Sequence, residues 1–191
     1  MKEKLKSKYT LNYFMEIHRA IQTLGSTKKY LDKEIDWAKL TDILDSIKYT
    51  PSAGEIPNWK LLVVKDKKTR KEIAKVSADQ LWIASAPVLL VVCNDQSEME
   101  RMFKDKADYY STQSCAAGIQ NILLMANSVG VDHAWVRTFN AERIRSILKI
   151  PEEIKIDALI TLGYADERER KPRKTESRNV VYFEEWEKTE L

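Results

Sequence analysis

A chain of 191 residues is long enough to bury one sizeable core, and its 43% apolar and 32% charged composition describes a soluble globular domain with a well-charged surface. A net charge of +3 is too small to point to nucleic acid as a partner. No apolar run approaches the roughly 18–20 residues that cross a bilayer, and charged residues 1–6 lead into no apolar run, so neither a membrane span nor a signal peptide is expected and the location expected is cytoplasmic.

In chain order, Leu11, Phe14, Ile17, His18, Ile21 and Leu24 recur at helical spacing and predict a helix over 11–24. Asp36 is a good N-cap for a second helix that carries Leu40, Ile43, Leu44 and Ile47 on one face and runs out near Tyr49. Small turn formers then lead into Trp59 and a short strand over 61–64. Residues 67–77 read as a mostly polar helix. The continuous apolar run over 87–93 suits a central strand buried on both faces. Residues 104–129 form the longest helix candidate, with Gly130 just past its end. A strand over 133–136, a short helix capped by Asn140 and stopped by Pro151, and a strand over 156–162 follow. The chain then turns polar and basic before an apolar tail that contains Val180, Val181, Tyr182, Phe183 and Trp186. Two helices precede any strand, which favours α+β or a three-layer mixed sheet over a doubly wound one.

Several familiar chemistries lack their residues. There is no Gly-x-Gly-x-x-Gly and no Gly-x-x-x-x-Gly-Lys. The only histidines, His18 and His133, are not paired with other ligands at metal-binding spacing, so no metal site is expected. Cys93 and Cys115 read as buried reduced thiols. No triad or carboxylate pair offers a catalytic group.

What remains are loops suited to a flat anionic ligand. Gly25, Ser26 and Lys28 offer backbone, hydroxyl and cation to an anion. Pro51, Ser52, Ala53, Gly54 and Glu55 form a turn of small residues that a planar ligand could approach closely. Residues 168–174 are strongly basic and include Lys171 and Arg173. The helix half over 114–118 is rich in small residues and could approach a partner closely. Met99, Met102, Phe103, Tyr109 and Tyr110 in the segment between Cys93 and Gln113 suit either helix packing or a surface for a planar substrate.

The order and spacing of these elements resemble the nitroreductase family, flavoproteins that bind FMN. The family's Pro-Ser-x-x-Asn-x-Gln-Pro-Trp turn is matched at Pro51, Ser52, Gly54 and Trp59, with Glu55, Pro57 and Asn58 in place of Asn, Gln and Pro. Its Arg-x-Ser-x-Lys with a following aromatic is matched at Ser26, Lys28 and Tyr30, while Leu24 replaces the Arg. Gly163-Tyr164 with Lys171-Pro172-Arg173, and the run over 120–126, match as well. The resemblance covers roughly four-fifths of the chain. It implies a three-layer α/β/α fold around a mixed, mainly antiparallel sheet, in one domain over 1–191 whose arm over 175–191 packs on a partner subunit of a homodimer. It implies FMN held by Lys171 and Arg173 at the phosphate, by Lys28 near the pyrimidine edge, by the main-chain N–H groups of Arg137 and Thr138 at N5, and by residues 51–55 of the other subunit. The activity implied is hydride transfer from NAD(P)H to a nitroaromatic, quinone or similar planar acceptor. The departures at Leu24, Glu55 and Pro57 keep a second reading open, a protein of this fold with weakened FMN binding that serves as a ligand-binding or regulatory module.

Overall fold

The computed structural model describes residues 15–166 and 175–189, without the side chain of Arg178. Its elements are α1 (Ile17–Thr23), α2 (Trp37–Asp45), β1 (Trp59–Val64), α3 (Lys67–Lys75), β2 (Val88–Asp95), α4 (Ser97–Phe103), α5 (Ala107–Ser128), β3 (Asp132–Val136), α6 (Ala141–Leu148) and β4 (Ile154–Gly163), with short 3-10 turns between them. The helix expected over 11–24 is present as α1 from Ile17, and residues 11–14 lie outside the described residues.

Local chemistry sets several boundaries. Asp36 caps α2 by accepting from the Ala38 amide, Asp66 caps α3 through the Thr69 amide, and Asn140 caps α6 through the Arg143 amide. α6 stops on Lys149 in the left-handed region, two residues ahead of Pro151. The long helix differs from the expectation at its start. α4 is a separate helix, and Lys104 at φ 48 breaks it from the 3-10 turn that feeds α5. Asp95 explains α4 locally, because its carboxylate accepts from both the amide and the hydroxyl of Ser97.

The four strands run in the order β1-β2-β4-β3, and all three pairings are antiparallel among the described residues. The sequence led to a mixed sheet dominated by antiparallel pairs, and the antiparallel part is what these residues form. β2 lies inside the sheet, and seven of its eight residues are buried, as its unbroken apolar run predicts. Alternate residues feed two cores. Val88, Leu90, Val92, Ala158, Ile160 and Leu162 face α2 and α5, while Leu89, Val91, Cys93, Ile156 and Leu159 face α3 and α6. The result is a helical layer on each face of the sheet, the α/β/α arrangement expected. β4 carries a bulge at Asp157, where the register steps from Val92↔Ala158 to Cys93↔Ile156.

Candidate functional site along the open edge of the sheet

β3 is an edge strand, and its outer side gathers three segments. The loop after α1 reaches it first: the Thr27 amide donates to the His133 carbonyl at 2.9 Å, and Tyr30 bridges Ala165. Tyr30 is buried, with its hydroxyl 2.7 Å from that of Thr161. It crosses Gly163 so closely that a Cβ there would stand 2.7 Å from the Tyr30 ring and 2.6 Å from Pro87, which accounts for the glycine before Tyr164. The same loop also holds Asp166, whose amide donates to the Lys29 carbonyl at 3.1 Å.

The second segment is a 3-10 turn over Leu81–Ser85 that sequence reasoning passed over. The Lys28 ammonium lies 6.0 Å from the centre of the Trp82 ring. Gln80, just ahead of the turn, donates through Nε2 to the carbonyls of Ser77 at 2.9 Å and Thr138 at 3.1 Å. Gln80 and Thr138 are 58 positions apart, so no local pattern joins them; the polar-aromatic run Gln80-Leu81-Trp82 before a strand was the available signal.

The third segment is residues 137–138, just beyond β3. Strand geometry decides where its amides point. In an antiparallel strand the N–H and C=O of one residue point to the same side, and the side alternates along the chain. The His133 carbonyl faces outward to Thr27, so the main-chain groups of Trp135 and Arg137 face outward too. The ladder to β4 ends at Val136↔Leu159, and the Arg137 and Thr138 amides make no backbone hydrogen bond among the described residues. The Arg137 guanidinium stands 5.5 Å from the Trp135 ring centre, and both Arg137 and Thr138 are exposed. The Trp135 Nε1–H is buried without a hydrogen-bond partner among the described residues. Outward N–H donors beside a lysine suit a ligand that is electron-rich at one end and anionic at the other.

The structure therefore brings Gly25, Ser26 and Lys28 together with Arg137 and Thr138. Lys171 and Arg173 lie outside the described residues, and they follow Asp166 by five and seven positions. Leu24, in place of an Arg, turns its side chain onto the core beneath β4 and α5.

Pro51, Ser52, Ala53 and Glu55 are not part of this group. Asn58 and Asp95 place them at the other end of the sheet, where the Asp95 amide donates to the Asn58 carbonyl. The loop after α1 sits instead beside the Val88↔Leu162 end. The eight residues of β2 separate the two ends by about 23 Å at roughly 3.3 Å per residue. The 51–55 turn is exposed or half-buried, with Gly54 at φ 62 and Glu55 at φ 59. A Cβ on Gly54 would come 2.7 Å from the Met102 sulfur, so the turn rests directly on α4.

Ser111, Ser114, Cys115 and Gly118 of α5 are buried within their own chain, while the small residues Ala116 and Ala117 lie half-buried on its more open side with Gln113 and Gln120. Of the residues offered as a lid, Met99 is fully buried against Ile56 and belongs to a small core. Met102 and Tyr109 are exposed, and the Tyr110 ring packs edgewise on Phe103 at 5.0 Å and on Tyr109 at 5.6 Å.

Titratable groups near the core are silent. Burial pushes the Cys93 thiol up to about 11 and the Cys115 thiol higher still, so neither is a thiolate at neutral pH. Burial pushes His133 down to about 4 against the pull of Asp132, which keeps it neutral and removes it as an acid–base group. Among the described residues, no helix is long and apolar enough to cross a membrane.

Comparison with known proteins gives the fold a context. The sequence profile of the nitroreductase family matches residues 25–85 and 78–164. A Methanothermobacter thermautotrophicus protein provisionally named NADH dehydrogenase/NAD(P)H nitroreductase is 32% identical over 157 residues, which cover 80% of this chain and 79% of that one. Two solved structures share the fold. An FMN-dependent nitroreductase from Clostridium difficile is 23% identical with a TM-score of 0.74, covering 87% of this chain and 99% of that one. The NADPH:FMN oxidoreductase from Vibrio harveyi, complexed with NAD+, is 22% identical with a TM-score of 0.79, covering 89% and 77%.

Proposed function

The chain belongs to the nitroreductase family, and from that premise we propose that it is an FMN-dependent oxidoreductase that takes hydride from NAD(P)H and reduces a nitroaromatic, quinone or similar planar acceptor. The observation that carries this reading is the open edge of β3, where the outward Arg137 amide, the Gln80-held Thr138 peptide and the Lys28 loop converge. The names of the archaeal relative and of the two solved structures support it through NAD(P)H and FMN.

Bound FMN supplies the reversible two-electron chemistry that no side chain here provides. The residues present fit it. The outward Arg137 amide would face its N5 as a fixed donor that needs no reorganisation, beside the Thr138 peptide that Gln80 holds. Lys28 would favour the negative charge that reduction places on the pyrimidine edge. Lys171 and Arg173 would hold the phosphate, Arg173 through its planar fork. Five residues of chain reach at most about 17 Å from Asp166, enough to return Lys171 to the Ser26–Lys28 loop. With Leu24 committed to the core, these two carry the phosphate charge that the family shares with an Arg.

Residues 51–55 would act in trans. The length of β2, about 23 Å, separates the sheet end anchored by Asn58 from the end beside the Lys28 loop, which favours a second copy as their source if they touch the same flavin. Glu55 would then accept from flavin N3–H or ribityl hydroxyls. The surfaces for a partner are available: Ile17, Tyr49, Leu124 and Met125 line an open groove of about 450 Å³, and Val180, Val181 and Trp186 of the C-terminal arm are exposed on the single chain. Obligate interfaces of this kind bury more than about 2,000 Å².

Anaerobic mixing of the FMN-loaded protein with NADH or NADPH tests the use of nicotinamide. Bleaching of the flavin absorbance by at least one of them is expected. A flavin left oxidised by both removes NAD(P)H as the donor.

A further inference from the structure

We propose that Asn58 is a positioning residue, docking the 51–57 loop on a rail of small and polar residues along α5 so that the loop is held in its binding shape before any cofactor arrives. The inference rests on the cofactor reading of that loop.

Asn58 is 1% exposed. Its Nδ2 donates to Asn94 Oδ1 at 2.7 Å, lies 3.0 Å from the Ser111 carbonyl and 3.3 Å from the Cys115 sulfur, and so shares two hydrogens among three acceptors. Its carbonyl takes the Asp95 amide at 2.8 Å. Asn94, fully buried, passes the connection on to Ser111 Oγ at 3.2 Å and to Asp157 at 2.8 Å on the β4 bulge. Lys155 closes the network at the surface, 3.5 Å from Asp157 and 2.6 Å from Asp108.

The remaining rail residues hold the rest of the segment. Ser114 accepts the Ala53 amide at 3.4 Å, and Asn121 donates to the Thr50 hydroxyl at 3.0 Å. At Gly118 a Cβ would stand 2.9 Å from Ile47, so only glycine lets this stretch lie so close to α5. Positions 111, 114, 115, 118 and 121 share one helix face. They hold the segment at Thr50, Ala53 and Asn58, with Gly54 and Glu55 in the stretch between the last two.

Two facts separate this from ordinary packing. Asn58 Oδ1 is buried and finds no partner among the described residues. A buried oxygen left unpaired costs stability, a cost that a side chain chosen for packing alone would not carry. The clamped loop also contains Glu55 at φ 59, a conformation that a non-glycine residue keeps only when its surroundings impose it.

The test uses Asn58→Leu in the full-length protein, with three readouts: thermal midpoint, amide hydrogen exchange of residues 52–56 in the apoprotein, and the FMN dissociation constant. The expected result is a lowered midpoint, because the buried Asn94 Oδ1 loses its donor, together with exchange that speeds up in the loop beyond that global change and FMN affinity weaker by ten-fold or more. Should Asn58→Leu fail to fold, Ser114→Ala removes only the hydroxyl under Ala53 and should move the same two local readouts, with affinity weaker by about three-fold. Unchanged loop exchange, or unchanged FMN affinity, overturns the proposal. Wild-type protein that binds no FMN overturns the cofactor reading beneath it, and the wild-type titration distinguishes that failure from one confined to Asn58.

Discussion

Two crippled variants, mixed, should recover activity that neither has alone. Gly54→Val puts a Cβ 2.7 Å from the Met102 sulfur at a backbone φ of 62, and so distorts the 51–55 turn without touching the β3 edge. Arg137→Pro deletes the outward amide on that edge and leaves the turn intact. If one site takes its edge from one subunit and its turn from the other, each mixed dimer contains one undamaged site. Random pairing of equal amounts makes half the dimers mixed, with one good site in two, so about a quarter of wild-type turnover should return. Unfolding and refolding the variants together, then comparing the mixture with each parent, measures this. A mixture no more active than the mean of its parents would place the whole site within one chain.

Arg137→Pro alone should slow flavin reduction by NAD(P)H about 100-fold or more, the usual consequence of removing one fixed donor at a centre where charge develops. The substitution is informative because little else changes. Proline is tolerated on an edge strand, where no neighbour needs its N–H, and Arg137 follows the last residue of β3 on the sheet's open side. Arg137→Ala keeps the amide and should stay near the wild-type rate. Equal rates for the two variants would assign whatever Arg137 does to its guanidinium and release the amide from the reaction.

Most of the fold was legible where the sequence is redundant about it. The apolar run of β2 could only be a strand covered on both faces, and Asn140 and Asp36 named their helices by the chemistry of a cap. α4 was missed because it is seven residues long and its three apolar residues are a buried Met99, an exposed Met102 and a half-buried Phe103, so no single face repeats. The small residues of α5 signalled close approach correctly. Composition does not say who approaches, and the occupant is the chain's own segment from Ile47 to Asn58.

The site was legible as a set of loops and illegible as a geometry. Ser26, Lys28, Arg137 and Thr138 were read one by one, and the sheet order that aligns them on one edge follows from long-range pairing that leaves no local trace. Gln80 reaches across 58 positions to set the Thr138 peptide, and Asn94 meets the Asp157 bulge across 63. The replacement of an Arg by Leu24 looked like a lost contact; in the fold it is also a gained one, with the leucine side chain packed on the core.

The claim on which the rest depends is that this chain holds FMN. The direct measurement is the visible absorbance of the purified protein, followed by titration of the stripped protein with FMN under equilibrium dialysis. A yellow preparation, or saturable uptake of one FMN per chain, is the predicted result. A colourless protein that takes up no added FMN would contradict it and leave a nitroreductase-fold module that binds some other ligand.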